Sequence, residues 1–172
     1  ADALIYMLQA IYEAVDSGEA CARIFFTDFS KGFDLIDHTI LMRELAKLDV
    51  HTALLSWIGA FLTNRKQAVR IGQTLSDWLP LKGGVPQGTK LGVILFIVMT
   101  NKLLSDWPLH IKFVDDTSAL EIIPRNSTSL LNIVASDIHN FAATHNMRLN
   151  PVKCKEMRIN FLHNSNCLIN PI

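Results

Sequence analysis

Apolar residues recur at Leu4, Leu8, Ile11, Tyr12 and Val15, a helical spacing that closes at Asp16-Ser17-Gly18. The next apolar stretch, residues 22–29 (ARIFFTDF), is apolar and aromatic at consecutive positions. That is the pattern of a strand buried on both faces. Two more helical stretches are predicted over roughly residues 39–48 and 52–62. Residues 66–72 (KQAVRIG) alternate and predict a strand, with a second extended piece near residues 77–81 (DWLPL). Residues 83–88 (GGVPQG) form a loop, and the apolar run behind it predicts a buried helix to about Leu104. Residues 110–123 read as strand, two-residue turn, strand. A long helix is expected from Ser127 to His145, with Ser127 or Thr128 as its N-cap, and short extended pieces over residues 146–162. The order predicts one α+β domain, a sheet with helices packed on one face.

Composition narrows this picture. The chain has 172 residues, 49% of them hydrophobic, enough for one globular core. The apolar run GVILFIVM at residues 92–99 is shorter than the about 18–20 residues a membrane span needs, so it reads as a core helix and no membrane partner is expected. The sequence starts without Met inside an amphipathic pattern, and is expected to belong to a longer reading frame. Cys21, Cys154 and Cys167 form no CxxC pair, and their odd number fits a reducing, intracellular compartment. Asn126-Ser-Thr matches a glycosylation sequon, a triplet frequent by chance. Sixteen basic and sixteen acidic residues give no net charge, so bulk charge does not argue for nucleic-acid binding. Locally, Arg65, Lys66 and Arg70 form a basic cluster suited to a phosphate backbone or to a solvated face. The histidines show no metal spacing, and His38 reads as a cap or loop residue.

Chemistry concentrates in a few carboxylates. Asp28 stands where the first buried strand ends, where an uncompensated charge is costly. Asp34 and Asp37 fit loop or cap positions better. Asp115-Asp116 interrupts the apolar stretch IKFVDDTSAL, and its plainest reading is a hairpin turn. If the two strands are neighbours, the turn presents its carboxylates beside Asp28. Three such groups repel unless cations lie between them, and hard divalent ions such as Mg²⁺ suit that role. A competing motif, Gly83-x4-Gly88 followed by Thr89-Lys90, nearly spells a phosphate-binding P-loop. Its Lys and Thr are transposed, turning the ammonium about 100° around the helix, and Pro86 removes a needed amide.

The ordered set FTDFSKGFD, GGVPQGTKLG, FVDD and NMRLNPVKCK resembles motifs A, B, C and D of reverse transcriptases, most closely those of non-LTR (LINE-type) retrotransposons. Group II intron and telomerase enzymes share the fold but match GFDLIDH, WIGAFLTNRKQAVRIG and WLPLKGGVPQG less well. The resemblance implies a palm with an antiparallel sheet and part of the fingers. Upstream fingers, thumb and any endonuclease are not found in these 172 residues. It implies an RNA-directed DNA polymerase using two Mg²⁺ ions, or Mn²⁺ in their place, with RNA template, DNA primer and dNTPs as partners beside the rest of a polyprotein. A nuclear place of action follows from the family only. By position, Asp28, Asp115 and Asp116 are the implied catalytic metal ligands, with the Phe29 carbonyl as a further ligand. Phe33 is the implied platform under the incoming sugar. Gln87 is implied to contact nucleotide and template, while Gly84 and Gly88 allow the bound substrate a close approach to the backbone. Lys153, or Lys155 in a shifted register, stands by the pyrophosphate. Gly32, Lys90 and Val93 depart from the family pattern. The alternative expectation is a non-catalytic remnant of such a polymerase, inactive alone.

Overall fold

In the computed structural model, residues 2–16, 18 and 20–161 are described; Ser17, Leu162 and Cys167, which enter the readings above, lie outside them. In chain order the elements begin with α1 (Asp2–Asp16), β1 (Ala20–Thr27), α2 (His38–Lys47), α3 (Thr52–Leu62), β2 (Lys66–Gln67), β3 (Arg70–Ile71) and β4 (Thr74–Leu75). They continue with β5 (Leu79–Pro80), α4 (Lys90–Met99), β6 (His110–Phe113), β7 (Asp116–Pro124), α5 (Leu131–Thr144) and β8 (Lys155–Ile159). The described residues divide into two compact units. One is drawn from Ala1–Ser30, Lys102–Thr144 and Arg148–Ile172, the other from Lys31–Asn101 and His145–Met147.

The first unit is a four-stranded antiparallel sheet in the order β6-β7-β1-β8. Ile24 of β1 faces Leu120 of β7 on one side and Met157 of β8 on the other. On one face Ala22, Ile24 and Leu120 pack against Ile11 of α1. On the opposite face Arg23 is fully buried and hydrogen-bonds Asn132 in the first turn of α5. The α+β class and the antiparallel sheet are as expected, and the helical cover extends to both faces because β1 is buried on both.

Arg23 explains a shifted helix start. Its guanidinium bonds Glu156 at 2.7 Å, Ser129 at 2.8 Å and Asn132 at 3.1 Å. Glu121, opposite Arg23 in the ladder, accepts from the Ser129 hydroxyl and the Leu130 amide. Ser129 in turn accepts from the Leu131 amide, so it caps α5 at Leu131. The expected start at Ser127, with Ser127 or Thr128 as cap, is therefore corrected by four residues. A buried charge recruits the segment before the helix can begin.

In the second unit, α2 packs on both α3 and α4 around Leu41, Leu45, Ile58, Leu62, Leu95 and Phe96. Asp37 caps α2, accepting from the Thr39 and Ile40 amides, the cap position expected of it. Asn146 donates to its other oxygen at 3.0 Å. The Asn146 bond, foremost, and the Ile40 amide hold the Asp37 carboxyl below its ordinary value. Helix α4 stops at Met99 and not near Leu104: the Thr100 hydroxyl returns to the Phe96 carbonyl, and Leu104 has φ +57°, which no α-helix continues.

The four short strands β2 to β5 are one ribbon. Pairs Lys66↔Pro80 and Gln67↔Leu79 keep one register, Arg70↔Leu75 and Ile71↔Thr74 another. Between them the Ser76 amide bonds the Val69 carbonyl, so Ala68 alone stands opposite Asp77 and Trp78. That count is a β-bulge. The alternation in residues 66–72 and the extended piece before Leu81 are both present; the intervening strand Thr74–Leu75 carried no apolar alternation to reveal it. No helix among the described residues is long and apolar enough to cross a membrane.

Candidate active site

Three of the acids expected to act together belong to the sheet unit. The β1–β7 ladder ends at the pair Thr27↔Thr117, so Asp28 follows one step beyond, on the side where Asp116 opens β7. The turn is Val114–Asp115, enclosed by the pair Phe113↔Asp116. The two adjacent carboxylates thus do different jobs, Asp115 in the turn and Asp116 in the strand, where both had been read as turn residues. Asp115 and Asp116 are exposed and Asp28 is half-buried.

Asp28 is pinned through its backbone. Its carbonyl accepts from the Asn150 amide at 2.9 Å, and its amide donates to the Cys154 thiol at 3.5 Å. Phe29 forms a bridge with Leu149 whose hydrogen bonds run through the Asp28 carbonyl and the Ser30 amide. The Phe29 side chain is buried and anchors this strand end. Residues 150–153 (NPVK) form a turn closed from the Lys153 amide to the Asn150 carbonyl, with proline at its second position. The turn sets the Lys153 ammonium 3.5 Å from Asp28 Oδ1. Lys155 instead begins β8 opposite Phe26, so Lys153 is the lysine beside the acid. Neither Cys21 nor Cys154 is in a disulfide.

The acids can be tested for a cation. Asp28 Oδ2 is buried and has no hydrogen-bond partner. An orphaned anionic oxygen costs free energy that a cation removes, and an all-oxygen donor set suits Mg²⁺ or Mn²⁺. The three carboxylates are nonetheless not drawn together: among the described residues no group of three or more His, Cys, Asp or Glu is placed to hold a metal ion. The donor chemistry fits a divalent cation; the expected gathering of all three acids is not present.

The helical unit carries the other expected residues. Residues 83–87 lie along the backbone of residues 33–38. The Gly84 amide bonds the Ile36 carbonyl at 2.8 Å, the Val85 amide bonds the Phe33 carbonyl at 2.8 Å, and His38 Nε2 is 2.7 Å from the Gly84 carbonyl. Gly84 is obligatory: its φ is +80°, and a Cβ there would stand 2.6 Å from the Asp34 carbonyl oxygen. Gln87 is exposed and its Nε2 donates to Asp34 Oδ1 at 3.2 Å. Gly88 has φ +76° with open space around its Cα. Phe33 is half-buried, its ring stacked on Phe96 with centroids 4.8 Å apart. Thr89 caps α4, accepting from the Gly92 amide at 3.0 Å, so the helix starts normally despite Lys90 and Val93. A cavity of about 570 Å³ opens here, lined among others by Lys31, Asp34, Arg65, Gly84 and Gln87.

Two residues in this bed were not singled out. Asp34 and His38 had been read as loop and cap residues, yet both grip the glycine loop. Arg23 escaped as well, since one Arg in an apolar strand gives no signal of the partners that satisfy it.

The fold is that of a reverse-transcriptase palm. A telomerase from Candida tropicalis, solved in complex with a TWJ fragment of telomeric RNA, matches with TM-score 0.69 at 14% identity, over 91% of this chain and 29% of that one. The family profile "Reverse transcriptase (RNA-dependent DNA polymerase)" matches residues 5–164, and the chain belongs to that family. Among curated relatives, a probable RNA-directed DNA polymerase from transposon BS of Drosophila melanogaster is 31% identical over 93 residues, 54% of this chain and 10% of the relative. A retrovirus-related Pol polyprotein from the type-1 retrotransposable element R2 of Popillia japonica is 23% identical over 141 residues, 74% of this chain and 23% of the relative. The chain thus spans about a tenth to a quarter of the length of these relatives.

Proposed function

We propose that the chain is the polymerising core of an RNA-directed DNA polymerase of the non-LTR retrotransposon type. The sheet unit supplies the palm and the helical unit part of the fingers. The reaction is attack of a primer 3′-hydroxyl on the α-phosphate of a dNTP, with pyrophosphate leaving. The observation that carries this reading is Asp28 Oδ2, buried without a partner beside the start of the strand that follows the FVDD turn.

Asp28, Asp115, Asp116 and the Phe29 carbonyl would hold two Mg²⁺ ions, with Mn²⁺ able to replace them. Bound there, such ions neutralise phosphate charge and favour the alkoxide of the primer. Every other task falls to the chain itself. Asn150 and Cys154 fix the backbone of Asp28, so that its carboxylate needs no reorganisation. The Lys153 ammonium brings positive charge, or a proton, to the leaving pyrophosphate. Phe33, braced by Phe96, offers a flat surface to the incoming sugar and crowds a 2′-hydroxyl. Gln87 is oriented through its Nε2 by Asp34, which leaves its carbonyl oxygen for nucleotide and template. Gly88 lets the strand approach the backbone. RNA template, DNA primer and the remainder of a polyprotein are the partners, acting in the nucleus.

Primer extension on an RNA template with dNTPs and Mg²⁺ tests this, with the chain beside its Asp115→Asn/Asp116→Asn double variant. Extension by the first alone is expected. Extension by both would move the chemistry to other residues, and extension by neither would favour the non-catalytic remnant.

A further inference from the structure

The sheet unit holds another cavity, to which the polymerase reading gives no task. Its volume is about 400 Å³, and it opens between residues 102–107, which follow α4, and one face of α5. Asp137 and Phe141 share that face with Val134 because they stand three and seven residues beyond it along the helix. The opposite wall is fixed by hydrogen bonds. The Trp107 amide donates to the Leu104 carbonyl at 3.0 Å, and its indole Nε1 donates to the Leu120 carbonyl at 3.0 Å. The Lys112 ammonium, on β6, donates to the Leu103 carbonyl at 2.8 Å. Trp107 and Phe141 are both half-buried, in a lining whose other apolar members are Leu103, Leu104 and Val134. Asp106 and Asp137 add two exposed carboxylates to that lining, against the one ammonium of Lys102.

We propose that this pocket docks a peptide segment of a partner protein through one arginine, its guanidinium on Trp107 and Phe141 and its charge met by Asp106 and Asp137. The chemistry selects this occupant. Concave sites of this size with apolar walls and a few polar groups are the usual form of a binding pocket. Arginine has an apolar stem for Leu104 and Val134 and a charged tip for the carboxylates. Its planar guanidinium stacks on aromatic faces and forks onto carboxylates, which the compact ammonium of lysine does less well. A nucleotide or a phosphate backbone would meet two carboxylates and be repelled. A neutral apolar ligand would strip water from those carboxylates and give them no partner. Arginine, with the aromatic residues, is also the side chain that most often anchors protein interfaces. Docking of this kind needs neither nucleic acid nor metal, so the proposal goes beyond polymerisation and stands separately from it.

The test titrates acetyl-Leu-Arg-Leu-amide into the full chain carrying Trp57→Phe and Trp78→Phe. Trp107 is then the one remaining tryptophan and reports by its fluorescence. Both replaced tryptophans are exposed, so the fold should tolerate their loss. A saturable change with Kd tighter than about 1 mM is expected. The citrulline counterpart, equal in shape but uncharged, should bind about tenfold more weakly. Asp106→Asn/Asp137→Asn should weaken the arginine peptide by about tenfold, and Phe141→Leu by severalfold. Asp106 and Asp137 are exposed, so the thermal midpoint of their double variant should not move. The citrulline comparison leaves the pocket unaltered and decides the matter even if Phe141→Leu fails to fold. Four results would each overturn the proposal: no Trp107 response, equal binding of the citrulline peptide, unchanged binding by the double aspartate variant, or preference for glutamate in place of arginine. Primer extension plays no part in this test, so failure of the polymerase reading would leave the docking site standing.

Discussion

Replacing Glu156 by Gln removes the negative charge that balances Arg23, the one arginine completely shielded from water among the core residues of the sheet. The Arg23 hydrogen bond, foremost, and that of Arg158 hold the Glu156 carboxyl at about 2, against an ordinary 4.5. That displacement corresponds to about 3 kcal/mol of folding free energy at neutral pH. The figure is an upper bound, because Arg158 is 42% exposed and its share is screened by solvent. The sign is that of a depressed acid: the stabilisation is complete above pH 4.5 and disappears as pH falls from 4.5 through about 2. Glu156→Gln should therefore lose about 2–3 kcal/mol at pH 7, and the gap to the parent chain should close by about pH 2. Urea unfolding of both proteins, followed by far-UV circular dichroism at several pH values, reads this directly. A gap that stays constant with pH, or one under about 0.5 kcal/mol at pH 7, would refute the view that this ion pair carries the charge balance of the buried arginine.

Three further substitutions probe the glycine-loop bed and its helices. Asp34→Ala frees the Gln87 amide and should raise KM for dNTP severalfold with a smaller change in kcat, and Asp34→Asn, which keeps the acceptor oxygen, should restore it; equal kinetics in all three would sink the positioning role. Gly92→Ala would bring a Cβ to 2.2 Å from the Pro86 carbonyl, a backbone atom that cannot swing aside, so the thermal midpoint should fall by the equivalent of roughly 1–3 kcal/mol. An unchanged midpoint would show that the loop has room. Asp37→Ala removes the cap of α2 and should cost about 1 kcal/mol in chemical unfolding, and a loss below a few tenths would mean that Asn146 and water replace it.

What the sequence disclosed depends on how local the cause was. The spacing of apolar residues placed α1, α2, α3 and β1 within a residue or two, since each is decided by its own side chains. Asp37 as a cap was likewise legible, because Asp at a helix start acts on the next few amides. The Asn150-Pro151 turn before Lys153 was missed, since those residues had been read as extended. Errors fell where a distant partner decides. Arg23 and Glu121 fix the start of α5 from another strand, and no window around Ser127 contains them. His38 reads as a cap in its own neighbourhood, and only the fold brings Gly84 to it. The bulge in the ribbon shows the same limit. The alternation of residues 66–72 is visible in the sequence, but the extra residue is a property of their pairing with residues 74–80.

The hairpin that presents the carboxylates carries this argument furthest. Turn propensity favours Asp, so the Asp115-Asp116 pair reads as the turn itself. The pairing Phe113↔Asp116 moves the turn one residue back, to Val114–Asp115. Val114 then takes φ +55°, the sign that a tight hairpin needs at its first central residue and that suits glycine there. For a β-branched residue this conformation costs roughly 1–2 kcal/mol. The turn is thus held in place by the flanking ladders, Lys112↔Thr117 on one side and Thr27↔Thr117 on the other, against the preference of its own sequence. Strain of this kind persists where the surroundings over-determine it, and that is common at functional sites. Here it has a visible consequence. With the turn one residue earlier, Asp116 belongs to β7 and opens it at the end of the sheet where β1 gives way to Asp28, while Asp115 stays in the turn.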